Sequence, residues 1–194
     1  MLPLKATGSL AVVGPHAVSK RDLLSDYIID QLCYKGPIRG GDCWPSIGEA
    51  FTNMHTGGTV TVEKGVDMNT HNTGGIAAAV AAAEAADSVV LCIGIGNEQE
   101  HEGVDRKDTL LPGIQSKFAQ KILALGKPTV VILVNGGIVS IDELVPDAHA
   151  IVEAFYPSTR GAEALYMQLT GLTNSWSKLP VTIYPAEYTK QVEL

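Results

Sequence analysis

Five short apolar runs, each closed by glycine or proline, constrain this chain more than any other feature. Leu10-Ala-Val-Val13 stops at Gly14-Pro15, and Thr59-Val-Thr-Val62 ends near Gly65. Val89 to Ile95 ends at Gly96, Thr129 to Val134 at Asn135-Gly-Gly137, and Ala150 to Phe155 before Pro157. Runs that stay apolar on both faces suit strands covered from both sides, the condition of a parallel sheet between helices.

The stretches between them read as helices. Gly74 to Ala86 is mostly alanine, the strongest helix former, with Thr73 placed to cap its start. Pro112 to Leu125 opens on proline and closes at Gly126, and Thr159 to Leu169 closes at Gly171. The β-α alternation predicts a three-layer α/β/α sandwich with a mostly parallel sheet of about five to six strands. Repeats, low-complexity tracts and linkers are absent from the pattern, so residues 1–194 read as one domain. All strands of such a sheet finish along one edge, and ligands bind there.

At 194 residues and 45% hydrophobic content, the chain can bury a sizeable core. Its net charge of -7 argues against nucleic acid or an anionic membrane surface as partner. Met1-Leu-Pro-Leu-Lys5 lacks the basic start and apolar stretch of a secretory signal, and no run of about 20 uncharged apolar residues follows. Cys92 lies inside an apolar run and reads as a buried thiol. Cys33 and Cys43 flank a Gly/Pro-rich turn; whether they form a disulfide stays open. Neither the cysteines nor His55, His71, His101 and His149 show metal-ligand spacing, so no metal or other cofactor is expected.

One loop stands out chemically. Directly after the run to Ile95 comes Gly96-Asn-Glu-Gln-Glu-His-Glu-Gly-Val-Asp-Arg106, with carboxylates at Glu98, Glu100, Glu102 and Asp105. Such a cluster is either a solvated turn or a place where one carboxyl is held to move a proton, since burial and like charges raise proton affinity. Gly94-Ile-Gly96 lacks the third glycine and following helix of a nucleotide loop, and the acids would repel phosphate. Trp44 and Trp176 fall in irregular stretches, where an indole can stack on a sugar or pack in the core.

Taken in order, these pieces resemble the C-terminal α/β sandwich domain of glycoside hydrolase family 3. The matching segments are Leu2-Pro-Leu-Lys5, Leu10-Ala-Val-Val-Gly-Pro15 and Ala85-Ala-Asp87 before Val89-Val90. Glu102-Gly-Val-Asp-Arg106 with Leu110-Leu-Pro-Gly-Ile-Gln115 is similar to the family's "EGxDR…LPgxQ". Gly126-Lys-Pro-Thr-Val-Val131, Ala154-Phe-Tyr-Pro157 and Lys178-Leu-Pro-Val-Thr182 complete the series, and Tyr184-Pro-Ala-Glu-Tyr188 leans toward the β-xylosidase branch. Two loops depart: Tyr156-Pro-Ser-Thr-Arg-Gly161 stands where the family has "YPGqxGG", and Asn174-Ser-Trp-Ser-Lys-Leu-Pro180 where it has "NPsGrLP".

The resemblance implies a domain of an exo-acting retaining β-glycosidase of β-xylosidase or β-glucosidase type. Its substrate would be a β-linked oligosaccharide or aryl glycoside. The nucleophilic aspartate would come from an N-terminal (β/α)8 barrel in cis or in trans, and the acid/base glutamate from this chain. That glutamate resembles the position six residues before the arginine, Glu100, with Glu102 as second candidate. Asp105 and Arg106 are expected to pair and hold the loop, lining the substrate site together with His16. Asp26, in Ser25-Asp-Tyr27, reads as a helix or loop residue rather than the barrel's nucleophile. The isolated chain is expected to be inactive, and the parent protein secreted, vacuolar or periplasmic. The alternative is a non-catalytic carbohydrate-binding or structural module on the same fold.

Overall fold

The computed structural model describes residues 1–26 and 44–191. The Cys33/Cys43 question lies outside the described residues. Five strands form one sheet: β1 (Leu10–Val13), β2 (Val60–Glu63), β3 (Ser88–Gly94), β4 (Thr129–Val134) and β5 (Ala150–Glu153). All neighbours pair in parallel, in the order β2-β1-β3-β4-β5. The helices are α1 (Pro15–Val18), α2 (Ile47–Met54), α3 (Ile76–Ala85), α4 (Gln115–Leu123) and α5 (Gly161–Leu169).

Alternation along each strand feeds two cores. Ala11, Val13, Val89, Leu91, Ile93, Val131 and Leu133 face α3 and α4, where Phe118 and Ile122 are fully buried. Leu10, Val12, Val90, Cys92, Val130, Ile132 and Val134 face Ala17, Phe51, Ala162 and Leu169, from α1, α2 and α5. Removing a side chain the size of Phe118 from water is worth about 1.5–3 kcal/mol. Repeated on both faces, that burial holds the three layers together, as the apolar runs predict.

Local chemistry moves some boundaries. Helix α2, absent from the sequence reading, starts in a capping box: Glu49 N–H donates to Ser46 Oγ, and Ser46 N–H to the Glu49 carboxylate. Its signature, Ser46-Ile-Gly-Glu49, is present in the sequence. Thr73 does not cap α3; Gly75 holds that position without a side-chain cap. Strand β5 stops at Glu153 rather than Phe155, because Phe155 turns to φ 50 and its N–H donates to Glu153 Oε1.

The strand order sets where a ligand can enter. After β1 the chain turns to the α2 face on its way to β2, and after β3 it turns to the α4 face. Loops leaving adjacent strands toward opposite faces open a crevice between them, here beyond the C-terminal ends of β1 and β3.

Candidate functional site

The acidic loop is built onto that crevice. Gly94, the last residue of β3, is gripped by Gln115 at the start of α4. The side-chain amide accepts from Gly94 N–H at 3.0 Å and donates to Gly94 C=O at 2.7 Å and to Met68 C=O at 2.8 Å. Gln115 is fully buried, so its amide replaces strand pairing where the ladder would otherwise leave both groups unmet. Sequence reasoning placed Gln115 in a motif but gave it no job; only the fold brings it to Gly94.

From there the loop is tied to the segment after β1. Asn97 N–H donates to Asp22 Oδ1 at 2.9 Å, and the Asn97 side chain donates to the carbonyls of Arg21 and Leu24. Glu102 N–H donates to Asp26 Oδ2 at 3.0 Å, so Asp26 serves the loop, as its reading away from a nucleophile anticipates. Glu100 N–H closes a turn on Gly96 C=O, and His101 bridges Val104.

Glu100 is the one loop carboxylate drawn inward. Arg106 Nε donates to its Oε2 at 3.0 Å, and Gly137 N–H, just past β4, donates to its Oε1 at 2.6 Å. Arg106 Nη2 also donates to Ile138 C=O at 2.8 Å, locking the β3 loop against the β4 loop. Each carboxyl oxygen keeps a second lone-pair direction, so these tethers leave room for a proton or another donor. The glycines at 136 and 137 do more than permit a turn. A Cβ on Gly137 would sit 2.5 Å from Glu100 Oε2, and one on Gly136 would sit 2.5 Å from Glu100 Oε1.

Two expectations are corrected here. Arg106 pairs with Glu100 and not with Asp105, whose side chain is exposed; six residues of turn bring Arg106 back over Glu100. Glu98, Glu102 and Asp105 are all exposed, so the charged side chain that touches Glu100 is Arg106 and not another loop carboxylate. His16 also differs from its expected place at an open substrate surface. It lies on α1, fully buried, with neither ring nitrogen hydrogen-bonded. Burial lowers its pKa to about 4, against the opposing pull of Asp22 and the Ile95 backbone, so the ring is neutral near pH 7.

The rim gathers further polar groups to which the sequence assigned no chemical role. Asn135 is fully buried with both amide atoms unpartnered, and the Tyr156 hydroxyl is buried and unpartnered. Burial raises the Tyr156 pKa, reinforced by the Glu100 and Asp22 carboxylates. Burial likewise raises the Glu153 pKa, despite the Phe155 N–H and the Asn135 amide beside it. Among the described residues nine buried side-chain atoms lack a hydrogen bond, and seven of them belong to His16, Asn97, Arg106, Asn135 and Tyr156 at this rim. Folded proteins rarely leave such atoms unmet, so their concentration sets this rim apart from the rest of the described residues.

A cavity of useful size lies elsewhere. A groove of about 770 Å³ runs between β5 and the C-terminal segment, and only its Glu153–Phe155 end reaches the rim. Its walls, including Val145, Ile151, Trp176 and Leu179, are mainly apolar, so convergent polar groups and not volume identify the site. Trp176 lines this groove at 44% exposure, whereas Trp44 is a core residue at 4% with Nε1 donating to Lys20 C=O. The Cys92 thiol is buried, and burial pushes its pKa far up, leaving it inert. Among the described residues no three His, Cys, Asp or Glu side chains gather as a metal site requires, and no helix is long and apolar enough to cross a membrane.

Comparison with known proteins fits this geometry. The family described as Glycosyl hydrolase family 3 C-terminal domain matches residues 1–193. Probable exo-1,4-β-xylosidase bxlB of Aspergillus fumigatus is 36% identical over 197 residues, covering all of this chain and 24% of its own. Probable exo-1,4-β-xylosidase xlnD of Neosartorya fischeri shows the same identity and coverage. The chain thus spans about a quarter of the length of the curated relatives it matches. Among solved structures, a GH3 exo-β-xylosidase (XlnD) in complex with a xylobiose aziridine activity-based probe superposes with a TM-score of 0.83 at 33% identity, over 97% of this chain and 23% of that one. The β-glucosidase from Listeria innocua in complex with isofagomine gives 0.77 at 26% identity, over 89% of this chain and 22% of that one. With a parallel α/β sandwich, a matched family and relatives above 30% identity along the whole chain, this chain belongs to glycosyl hydrolase family 3, as its C-terminal domain.

Proposed function

We propose that this domain supplies the acid/base glutamate, Glu100, to an exo-acting retaining β-glycosidase of β-xylosidase or β-glucosidase type. Retaining hydrolysis needs two carboxyls about 5–5.5 Å apart, one attacking the anomeric carbon and the other protonating the leaving oxygen. In this reading a (β/α)8 barrel, in the same polypeptide or another, brings the attacking aspartate and closes the cleft over a β-linked oligosaccharide or aryl glycoside. Glu100 then gives its proton to the leaving oxygen, and afterwards takes one from the water that releases the sugar. An extracellular, vacuolar or periplasmic parent belongs to the same proposal.

The observation that carries this reading is the fixation of Glu100. It alone among the loop acids is held by a guanidinium and a backbone N–H, at the edge where the strands finish. Glu102, tied only through its backbone N–H, is the second candidate. Arg106 positions Glu100, and His16 supports the base of the crevice from within.

The test joins the domain to its barrel. Glu100→Gln should lower kcat on phenyl β-xyloside by about 10²–10⁴-fold, the usual worth of a general acid. Glu100→Gly should regain turnover when azide supplies a small nucleophile, with β-glycosyl azide as product. The isolated chain should hydrolyse aryl β-glycosides no faster than its own Glu100→Gln variant. Wild-type turnover of the joined protein that survives Glu100→Gln rejects the assignment and moves it to Glu102. Calorimetric binding of xylo- or gluco-oligosaccharides without turnover, barrel present, would favour the non-catalytic module.

A further inference from the structure

Tyr156 has no place in the proposed chemistry, yet it shares the immediate surroundings of Glu100. A Cβ on Gly136 would lie 2.5 Å from Glu100 Oε1 and 2.6 Å from Tyr156 Cε2, so the ring and the carboxyl flank the same glycine. The absent side chain at 136 is what lets them approach. Tyr156 follows β5, and Glu100 follows β3, so the fold brings together groups 56 positions apart from two different strand ends.

The phenol is also unspent. Its oxygen is buried with the Gly136 backbone beside it, but its O–H donates to no acceptor, and a buried hydroxyl left in that state is costly unless a partner arrives. The charged groups around it are Glu100, Asp22 and Arg106. Arg106 has only donors to offer, and Asp22 and Glu100 each accept one hydrogen bond per oxygen with a second lone-pair direction open. Glu100 is the carboxylate that flanks Gly136 together with the Tyr156 ring, and so is the acceptor within its reach.

We propose that Tyr156 is a positioning residue for Glu100, its hydroxyl donating to the carboxylate once barrel and substrate complete the cleft. The hydrogen bond holds the carboxyl when it has delivered its proton, and so favours delivery. This rests on the acid/base reading of Glu100. Its effect should scale with how much help the leaving group needs.

The experiment uses the barrel-containing enzyme with phenyl and 2,4-dinitrophenyl β-xylosides, and the matching β-glucosides in parallel. Tyr156→Phe should lower kcat about tenfold on the phenyl glycoside, the worth of one hydrogen bond, and less than twofold on the dinitrophenyl one, which leaves without protonation. KM should hold and the thermal midpoint should hold or rise, because the hydroxyl donates to nothing in the folded domain. Equal loss on both substrates, or none on either, overturns the inference while azide rescue of Glu100→Gly leaves the acid/base reading standing. Failure of that rescue sinks the acid/base reading and this inference with it.

Discussion

The two ends of the same sheet are finished in opposite ways. At the N-terminal ends of β1 and β3, Asp87 accepts from both the N–H and the hydroxyl of Ser9 at 2.8 Å, and Asp87 N–H returns a bond to Ser9 Oγ. Nearby, Lys127 Nζ donates to Ala86 C=O, and His55 is bonded through both ring nitrogens, to Gly8 C=O and to the Tyr166 hydroxyl. None of these residues contributes an unmet buried atom. At the C-terminal ends the same chain leaves His16, Asn135, Tyr156 and part of Arg106 without partners. One end has its polar groups satisfied internally and serves stability. The other withholds that satisfaction, as the proposed shared site requires.

The contrast can be broken by substitution. Arg106→Ala should have the largest effect, a loss of about 10²-fold or more in kcat of the barrel-joined enzyme, because Glu100 loses its anchor to the β4 loop. Circular dichroism should show the domain still folded; intact activity would mean the Glu100–Arg106 pair is ornamental. Gln115→Leu should come next, destabilising by roughly 3 kcal/mol in urea titration, since it strands a buried N–H and two carbonyls.

A pH effect of similar size should follow from His16. Its folded pKa of about 4 lies below the unfolded 6.5, so the unfolded chain binds a proton that the folded chain refuses. Stability from this group is complete above about pH 6.5 and falls by up to about 3 kcal/mol as pH drops from 6.5 toward 4. Urea midpoints at pH 7.5 and 4.5 should differ less in His16→Leu than in wild type.

Asp87→Ala, at the satisfied end, should lower the urea midpoint slightly and leave kcat of the folded enzyme unchanged. If activity falls with it, the division between the two ends is wrong. The smallest effect is a gain. Ser158 stands at φ 67, where this family carries glycine, and a side chain there is strained. Ser158→Gly should stabilise by about 0.5–1 kcal/mol, offset in part by the looser unfolded chain.

Much of the fold was legible because it depends on local periods. All five strands lie where the apolar runs predict, with β2 shifted to Val60–Glu63 and β5 shortened by the turn at Phe155. Helix α2 was legible but unread, in the Ser46/Glu49 box. The acidic loop and its place at the strands' C-terminal edge followed from the same order of elements. Its internal arrangement did not, since four carboxylates within eight residues look alike until something opposes one of them.

Sequence by itself therefore determined the layers, the edge at which a ligand would bind and the loop that crosses it, because burial of strand and helix faces repeats over a few residues. Only the tertiary structure decided that Arg106 turns to Glu100 and not Asp105, that Gly137 supplies the second tether, and that Gln115 closes Gly94. It also enclosed His16 and set Tyr156 beside the proposed acid. Those contacts join different strand ends, and the direction a side chain takes there is fixed by neighbours that folding, and not sequence spacing, brings within reach.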